Sequence, residues 1–292
     1  MFRKLRRKYY EFTHPVIGEV LQFHRVTSDV SLFRGNNEYE ITPERFEKLI
    51  AGKKDEGNEF ISMKDLFEIL NGEKEIRNKF VCFTFDDGYK DNFEVAYPIL
   101  KKYDCPFTIF VATDNVERKS VLWRYAVDEL ICKNDSVVLS DGTIYSCKND
   151  DEKKNSFDAI DRKMSSLNEF QIKNLLSANN VDWLSKNEEL MMDEAMLLEI
   201  SKDELCTIGS HTQSHCHLSR LEPEEQRREL SNSKHVLESM IGKDVWCFAY
   251  PYGDYSEVTS NIANEIYGMT FAAWGGGVRQ GDGVVNVKRV LV

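Results

Sequence analysis

Short apolar segments alternate with amphipathic helix patterns along most of this chain of 292 residues. Segments with the length and the β-branched or aromatic content of buried strands cover residues 20–26, 80–85, 107–113, 205–210, 245–250 and 269–274. Helix patterns between them cover residues 42–54, 63–70, 92–103, 222–241 and 256–267. Such alternation favours a parallel sheet with right-handed crossovers. We therefore predict an α/β fold, a closed or partly closed (β/α) barrel, in a single domain that spans residues 1–292.

Residues 115–202 depart from this alternation. The stretch is polar and mostly helical in pattern, with a predicted hairpin at residues 137–145 around Asp141 and Gly142. We predict that it forms a largely helical insertion, or lid, between two strands of the barrel.

The charge balance restricts the class of partner. A net charge of −11 argues against general affinity for nucleic acid phosphates, so no nucleic acid partner is expected. Basic residues gather near the start of the chain, at Arg3, Lys4, Arg6, Arg7 and Lys8. This segment could contact an anionic membrane surface, although a solvated tail explains the same charges.

Cysteine usage and hydropathy bear on the location of the protein. The seven cysteines are odd in number and form no Cys-x-x-Cys pair, a pattern typical of a reducing compartment. No apolar stretch reaches the length that spans a bilayer, and the basic start lacks the apolar region of a secretory signal. We expect a cytoplasmic protein, with peripheral membrane contact through the basic start as a further option.

The segment KFVCFTFDDG, residues 79–88, places two adjacent carboxylates at the end of a predicted buried strand. Neighbouring side chains on a strand point in opposite directions, so Asp86 and Asp87 are expected to serve two different purposes. Ionised groups beside an apolar core are costly unless a positive charge offsets them, and a metal ion is the obvious candidate. A solvated turn at the strand end is the structural alternative.

A second predicted strand runs into the segment LCTIGSHTQSHCH, residues 205–217, which carries His211 and His215. Two imidazoles and the Asp87 carboxylate would form a three-ligand metal site with an open position for water. Such a ligand set accepts zinc, cobalt, nickel or iron. The neighbouring Cys216 could be a soft ligand, but simple packing is the favoured interpretation.

Three motifs resemble those of the NodB-type polysaccharide deacetylases, the carbohydrate esterase family 4. They are TFDDG at residues 84–88, HTQSH at residues 211–215 and FAYPYG at residues 248–253. The resemblance implies a distorted (β/α) barrel that removes N- or O-acetyl groups from sugars with a divalent metal ion, commonly zinc. It implies that Asp86 is the general base and that Asp87, His211 and His215 hold the metal. Pro251 and Tyr252 would line the substrate groove, and the Tyr252 backbone N–H would help to hold the oxyanion.

The chain departs from the common family pattern in two places. Its third motif lacks the arginine that orients the base, and no leucine-x-histidine motif near the C-terminus supplies a general acid. The segment LQFHRV, residues 21–26, resembles the N-terminal YHxV segment of a permuted branch, which makes His24 the candidate acid. The alternative for His24 is a strand histidine held by packing. Arg289, in VKRV, is a candidate replacement for the missing base-orienting arginine and is grouped with the substrate-binding residues. Trp123 resembles an aromatic position beside the pocket in related sequences, and a core role is the alternative.

The expected substrate is an acetylated sugar in a polysaccharide or glycan precursor. Two other functions fit the same motifs. A related deformylase would act on a formamido sugar attached to a lipid carrier, and release of formate rather than acetate would identify it. A carbohydrate-binding protein that has lost catalysis would bind glycan and metal without releasing either acid.

Overall fold

A computed structural model describes residues 13–29 and 39–292, so the basic segment with Arg3 and Lys8 lies outside the described residues. The strands are, in chain order, β1 (Val16–Phe23), β2 (Arg25–Val26), β3 (Glu40–Ile41), β4 (Glu59–Phe60), β5 (Phe80–Asp87), β6 (Phe107–Val111), β7 (Ser136–Val138), β8 (Ile144–Ser146), β9 (Cys206–Ser210), β10 (Cys247–Ala249), β11 (Met269–Phe271), β12 (Val278–Arg279) and β13 (Val290–Leu291).

Eleven α-helices lie among the described residues. They are α1 (Pro43–Asp55), α2 (Met63–Leu70), α3 (Tyr97–Lys102), α4 (Thr113–Val116), α5 (Trp123–Lys133), α6 (Asp150–Met164), α7 (Glu169–Leu176), α8 (Trp183–Leu190), α9 (Glu194–Ile200), α10 (Pro223–Ile241) and α11 (Glu257–Ile266). A π-helical turn, Asn92–Ala96, leads into α3, and short 3₁₀ turns cover Ser177–Asn179, Leu218–Arg220 and Pro251–Gly253. Among the described residues, no helix is both long and apolar enough to cross a membrane.

The main sheet follows the spatial order β11-β10-β9-β6-β5-β1-β12, and all its central pairs are parallel. The C-terminal segment connects β11, at one end of this sheet, with β1 near the other end. Val287 pairs with Phe271 of β11, and β13 pairs with β1 at Leu21 and Gln22. The prediction of an α/β fold with a distorted, partly closed barrel is therefore confirmed.

Strand alternation divides the sheet into an outer and an inner face. On β5 the outer residues Val81, Phe83 and Phe85 pack against the surrounding helices. The inner residues Phe80 and Cys82 belong to a separate cluster inside the barrel. The inner face becomes polar toward the carboxyl end of β5, and the site lies at this end, as in other barrels.

The polar stretch after β6 folds around its own apolar cluster. This cluster joins residues of α5, α6 and α7 with the hairpin formed by β7 and β8, which lies at the predicted position. Both ends of the stretch bind the turn that follows β5. Asn115 Nδ2 donates to the Asp87 carbonyl oxygen at 2.8 Å, and the Met192 N–H donates to the Gly88 carbonyl oxygen at 3.1 Å. The stretch is thus anchored at the carboxyl end of the barrel.

Two predicted elements differ from the observed ones. The single strand predicted over residues 20–26 is split, because β1 ends at Phe23 and the short β2 pairs with β3 in a separate sheet. His24 lies in the break between them. The helix predicted over residues 92–103 begins with the π-helical turn, which precedes Pro98 at the start of α3.

Gly209 is required by the packing inside the barrel. It pairs across β6 and β9 with Phe110, whose ring would lie 2.5 Å from an added Cβ at Gly209. The Phe110 ring also lies under the Arg289 guanidinium, 5.4 Å from ring centre to Cζ. The absence of a side chain at Gly209 therefore lets the ring support a buried cation.

We predict that Gly209→Ala lowers the free energy of unfolding by about 1–3 kcal/mol, because the new methyl group overpacks the Phe110 ring. The matched control is Gly52→Ala in α1, where an added Cβ would meet nothing within 4 Å. That change should stabilise the protein by roughly 0.5–1 kcal/mol through helix propensity. Chemical denaturation measures both, and equal effects of the two changes would contradict this account of the barrel interior.

Candidate metal centre and active site

Two adjacent aspartates end β5 and take different directions. Asp86 continues the inner face of the strand and is only 1% exposed. Asp87 has a φ of 74°, so the chain leaves the extended conformation at this residue. A positive φ is unfavourable for a residue with a side chain and persists where surrounding contacts fix it, as Asn115 does here. The two carboxylates therefore occupy different positions, as the sequence predicted.

Asp87, His211 and His215 come together at the carboxyl end of the barrel. One ligand atom from each lies within 4.8 Å of the other two. Asp87 Oδ1 lies 3.1 Å from His215 Nε2 and 3.6 Å from His211 Nε2. The stretches that were predicted to converge thus do so, and within the described part of the chain they form the only such cluster of three potential ligands.

The geometry and the chemistry of this cluster fit a divalent cation. Tetrahedral zinc with bonds of about 2.0–2.1 Å holds its nitrogen and oxygen ligands roughly 3.3 Å apart, a value between the two distances observed. Asp87 Oδ1 is buried and has no hydrogen-bond partner among the described residues. A buried carboxylate oxygen in that state is explained by a cation. Two imidazoles and one carboxylate also leave a coordination position open.

Both imidazoles are oriented through the nitrogen that faces away from Asp87. His211 Nδ1 donates to the Ala249 carbonyl oxygen at 2.7 Å, which leaves Nε2 unprotonated as a ligand. His215 Nδ1 lies 3.1 Å from the Tyr252 hydroxyl group. Burial lowers the pKa of His211 to about 4, so its ring is neutral and able to bind metal near pH 7.

The loop between the two histidines is held by Glu229 of α10. Its Oε2 accepts hydrogen bonds from the backbone N–H groups of Gln213 at 3.1 Å and Ser214 at 2.9 Å, and its Oε1 accepts from the Ser214 hydroxyl at 3.0 Å. Thr212 and His215 have positive φ values of 68° and 53°. Glu229 therefore stabilises a strained loop that brings His215 back toward Asp87.

Asp86 is bound by a buried arginine from the end of the chain. Arg289 Nη1 donates to Asp86 Oδ1 at 2.7 Å, and Nη2 donates to Oδ2 at 2.9 Å. Gln22 Nε2 also donates to Oδ2, at 2.9 Å. Asp86 Oδ2 lies 4.0 Å from His211 Nε2, farther than either distance from Asp87. Asp86 is thus adjacent to the ligand cluster and is held by protein donors.

The ion pair decides the protonation state of Asp86. Burial is the largest single influence and would raise the pKa of this carboxyl group, but the charge and hydrogen bonds of Arg289, together with the neighbouring imidazoles of His211 and His24, outweigh it and hold the pKa below its ordinary value. Asp86 is therefore ionised at neutral pH, as a proton acceptor must be. Arg289 is only 1% exposed, so its grouping with the substrate-groove residues is corrected: its partner is Asp86.

His24 lies in the break after β1, at the same end of the barrel. Burial lowers its pKa, while the carboxylates of Asp87 and Asp86 act in the opposite direction. Its ring meets the ring of Tyr39 edge-on at 4.6 Å between ring centres. His24 is thus close enough to both aspartates for their charges to act on it.

The other candidate groove residues take different places. Pro251 is buried at the turn after β10, and Tyr252 is exposed with a φ of 59°. The Tyr252 ring stacks on His217 at 4.0 Å between ring centres, so the two rings form an aromatic wall beside His215. Trp123 instead packs against the apolar cluster of residues 121–183, and the Arg124 guanidinium lies 4.5 Å above its ring. These contacts favour the core interpretation of Trp123.

Sequence reasoning missed Gln22, Asn115, His217 and Glu229. Gln22 had a usable signal, because alternation along β1 places it on the same face as the inner residue Val20. The other three lie in loops or on a helix, where no periodicity indicates which side chain reaches the site.

A parallel barrel with this ligand cluster and an adjacent ionised carboxylate defines the class of metal-dependent hydrolases. Comparison with known families is more specific. The model of the polysaccharide deacetylase family matches residues 73–272. The chain therefore belongs to the polysaccharide deacetylase family, whose members are carbohydrate deacetylases of the carbohydrate esterase 4 type.

Individual relatives agree with this assignment. The Bacillus subtilis (strain 168) protein YxkH is 24% identical over 279 residues, which cover 95% of this chain and 72% of that protein. The poly-β-1,6-N-acetyl-D-glucosamine N-deacetylase of Staphylococcus epidermidis is 29% identical over 105 residues, 33% of this chain and 36% of that enzyme. The structure of IcaB from Ammonifex degensii has a TM-score of 0.64 at 21% identity and covers 95% of this chain and 92% of that chain, which supports the shared fold.

We predict that His211→Ala removes most of the bound metal from the purified protein, because the remaining two ligands cannot enclose the ion. The control is Cys216→Ser, which changes the adjacent thiol outside the ligand cluster and should leave the metal content unchanged. Elemental analysis of both proteins after zinc loading and dialysis gives the comparison. Full metal content in the histidine variant would rule out this ligand set.

Proposed function

We propose that this protein hydrolyses acetyl groups on an amino sugar within a polysaccharide or glycan precursor, and that the resident metal is zinc. The observation that carries the proposal is the position of Asp86 beside the Asp87, His211 and His215 cluster. A cation held by that cluster would polarise the acetyl carbonyl and acidify a water molecule.

Asp86 is the proposed general base. Its pKa is held low by Arg289, and it is held apart from the ligand cluster by its hydrogen bonds to Arg289 and Gln22. It accepts the proton of the attacking water as the new carbon–oxygen bond forms. The Tyr252 backbone N–H is proposed to stabilise the developing oxyanion, a role that its place beside His215 supports.

His24 is the proposed general acid. It gives a proton to the sugar nitrogen as the carbon–nitrogen bond breaks, so that acetate and a free amino sugar leave. Two features support a place in the permuted branch of the family. His24 precedes the aspartates in the chain and shares their electrostatic environment, and Arg289 supplies the cation that the FAYPYG motif lacks. A cytoplasmic location stays a prediction from the cysteine pattern.

The direct test offers the zinc-loaded protein a panel of β-1,4- and β-1,6-linked N-acetylglucosamine oligomers and a formamido sugar. Release of acetate from an N-acetylated member supports the proposal. Release of formate alone would identify the deformylase instead. Glycan binding without release of either acid would identify a carbohydrate-binding protein.

We predict that Asp86→Asn lowers turnover by about 10²–10⁴-fold, the usual contribution of a general base, while the metal content stays near that of the wild type. The amide cannot accept the proton, but it is close in size to the carboxylate. Acetate release and zinc content are measured on the same preparation. Retained turnover, or loss of the metal, would contradict the division of roles between Asp86 and Asp87.

We predict that Arg289→Lys moves the acidic limb of the pH–activity profile upward by about one pH unit. Lysine cannot reproduce the two parallel hydrogen bonds, so the ionised form of Asp86 is stabilised less and its pKa rises. A base with a higher pKa becomes protonated at a higher pH, and activity is then lost sooner as the pH falls. Lys288→Arg, at the neighbouring half-exposed position, is the control and should leave the profile unchanged. An unshifted limb in the folded, metal-loaded Arg289 variant would argue against Asp86 as the base.

A further inference from the structure

We propose that a cluster of the buried Arg25 and Asp91 with the partly buried Tyr125 positions His24 for proton transfer, so that the insertion takes part in delivering the proton to the leaving group. The proposal rests on the role of His24 as the general acid. It assigns these three side chains as positioning residues, since none of them belongs to the metal cluster or binds Asp86.

His24 needs such support because its own ring is weakly held. Its Nδ1 atom is buried and has no hydrogen-bond partner among the described residues. A histidine in catalysis is commonly oriented by an acceptor on the second ring nitrogen. In the described part of this site, the position of the ring depends on the backbone of residues 24–26 and on the edge-on contact with Tyr39.

That backbone is fixed by two consecutive side chains of the segment that follows the aspartates. Asn92 Nδ2 donates to the His24 carbonyl oxygen at 2.8 Å. Asp91 Oδ1 accepts the Val26 N–H at 3.2 Å, and its Oδ2 accepts Arg25 Nε at 2.7 Å. The segment that carries the proposed acid is therefore tied to the segment that carries the proposed base.

The insertion reaches this cluster through Tyr125 of α5. The Arg25 guanidinium lies 5.5 Å from the centre of the Tyr125 ring and 5.7 Å from that of Tyr89. The Tyr125 hydroxyl donates to the Tyr89 hydroxyl at 3.1 Å, and Arg25 Nη1 lies 3.5 Å from Glu40 Oε1. Arg25 is buried between aromatic faces and carboxylates, and both stabilise its positive charge. Removal of the Tyr125 ring would loosen the guanidinium and, through it, the Asp91 carboxylate that also holds the Val26 N–H.

Leaving-group dependence separates positioning of the acid from general support of the fold. The amine released from an N-acetyl sugar must be protonated, whereas the weakly basic phenolate of p-nitrophenyl acetate leaves without a proton. A displaced general acid therefore slows hydrolysis of the sugar amide and leaves hydrolysis of the aryl ester unchanged. A loosened fold, or a damaged metal site, slows both substrates together.

The experiment compares Asp91→Asn and Tyr125→Leu with the wild type in their zinc-loaded forms. Each variant is tested on an N-acetylglucosamine oligomer and on p-nitrophenyl acetate, with zinc content measured in parallel. We expect kcat for the oligomer to fall by about tenfold or more, within the range of a general acid, with aryl ester hydrolysis and zinc content close to those of the wild type. Tyr125→Phe keeps the ring over Arg25 and should retain most of the activity. The matched control is Tyr145→Leu, which removes a tyrosine of the insertion outside the cluster.

His24→Ala separates the two ways in which this can fail. If His24→Ala slows hydrolysis of the oligomer and of the aryl ester equally, the assignment of His24 as the general acid is wrong. If His24→Ala slows only the oligomer, while Asp91→Asn and Tyr125→Leu slow both substrates equally or neither, the positioning cluster is overturned. Only the part of the aryl ester hydrolysis that Asp86→Asn abolishes is compared between variants. This restricts the comparison to hydrolysis in this active site.

Discussion

The buried ion pair between Asp86 and Arg289 is the interaction on which the site depends. An ionised carboxylate that is 1% exposed would be prohibitively costly without a partner of opposite charge. Arg289 provides two parallel hydrogen bonds, and the Phe110 ring supports it from the other side. The ring in turn needs Gly209 beneath it. The packing of the barrel interior and the charge state of the proposed base are therefore parts of one arrangement.

The turn after β5 explains how two adjacent aspartates serve two purposes. Asp86 stays in the strand and faces the barrel interior, while the positive φ of Asp87 turns its carboxylate toward the histidines. The helical stretch of residues 115–202 holds this turn from both of its ends, through Asn115 and Met192. This stretch thus contributes to the geometry of the metal centre, and through Tyr125 it also contacts the segment next to His24.

Much of this could be read from the sequence, for physical reasons. Short apolar segments identified the six central parallel strands of the main sheet, and strand alternation implied different roles for Asp86 and Asp87. The carboxyl ends of parallel strands lie at the same end of a barrel, so the sequence predicted that Asp87, His211 and His215 lie close together. Contacts between side chains distant in sequence could not be read in this way. Arg289 lies 203 residues from Asp86, and only the resemblance to the family, not any periodicity, made it the candidate for the place left by the third motif.

The most direct test of the account is the anomalous diffraction of a zinc-loaded crystal. We predict one strong peak about 2.0–2.2 Å from Asp87 Oδ1, His211 Nε2 and His215 Nε2, with Asp86 still paired to Arg289 and outside bonding distance. A peak that includes Asp86 as a ligand, or that lies away from both histidines, would contradict the central claim.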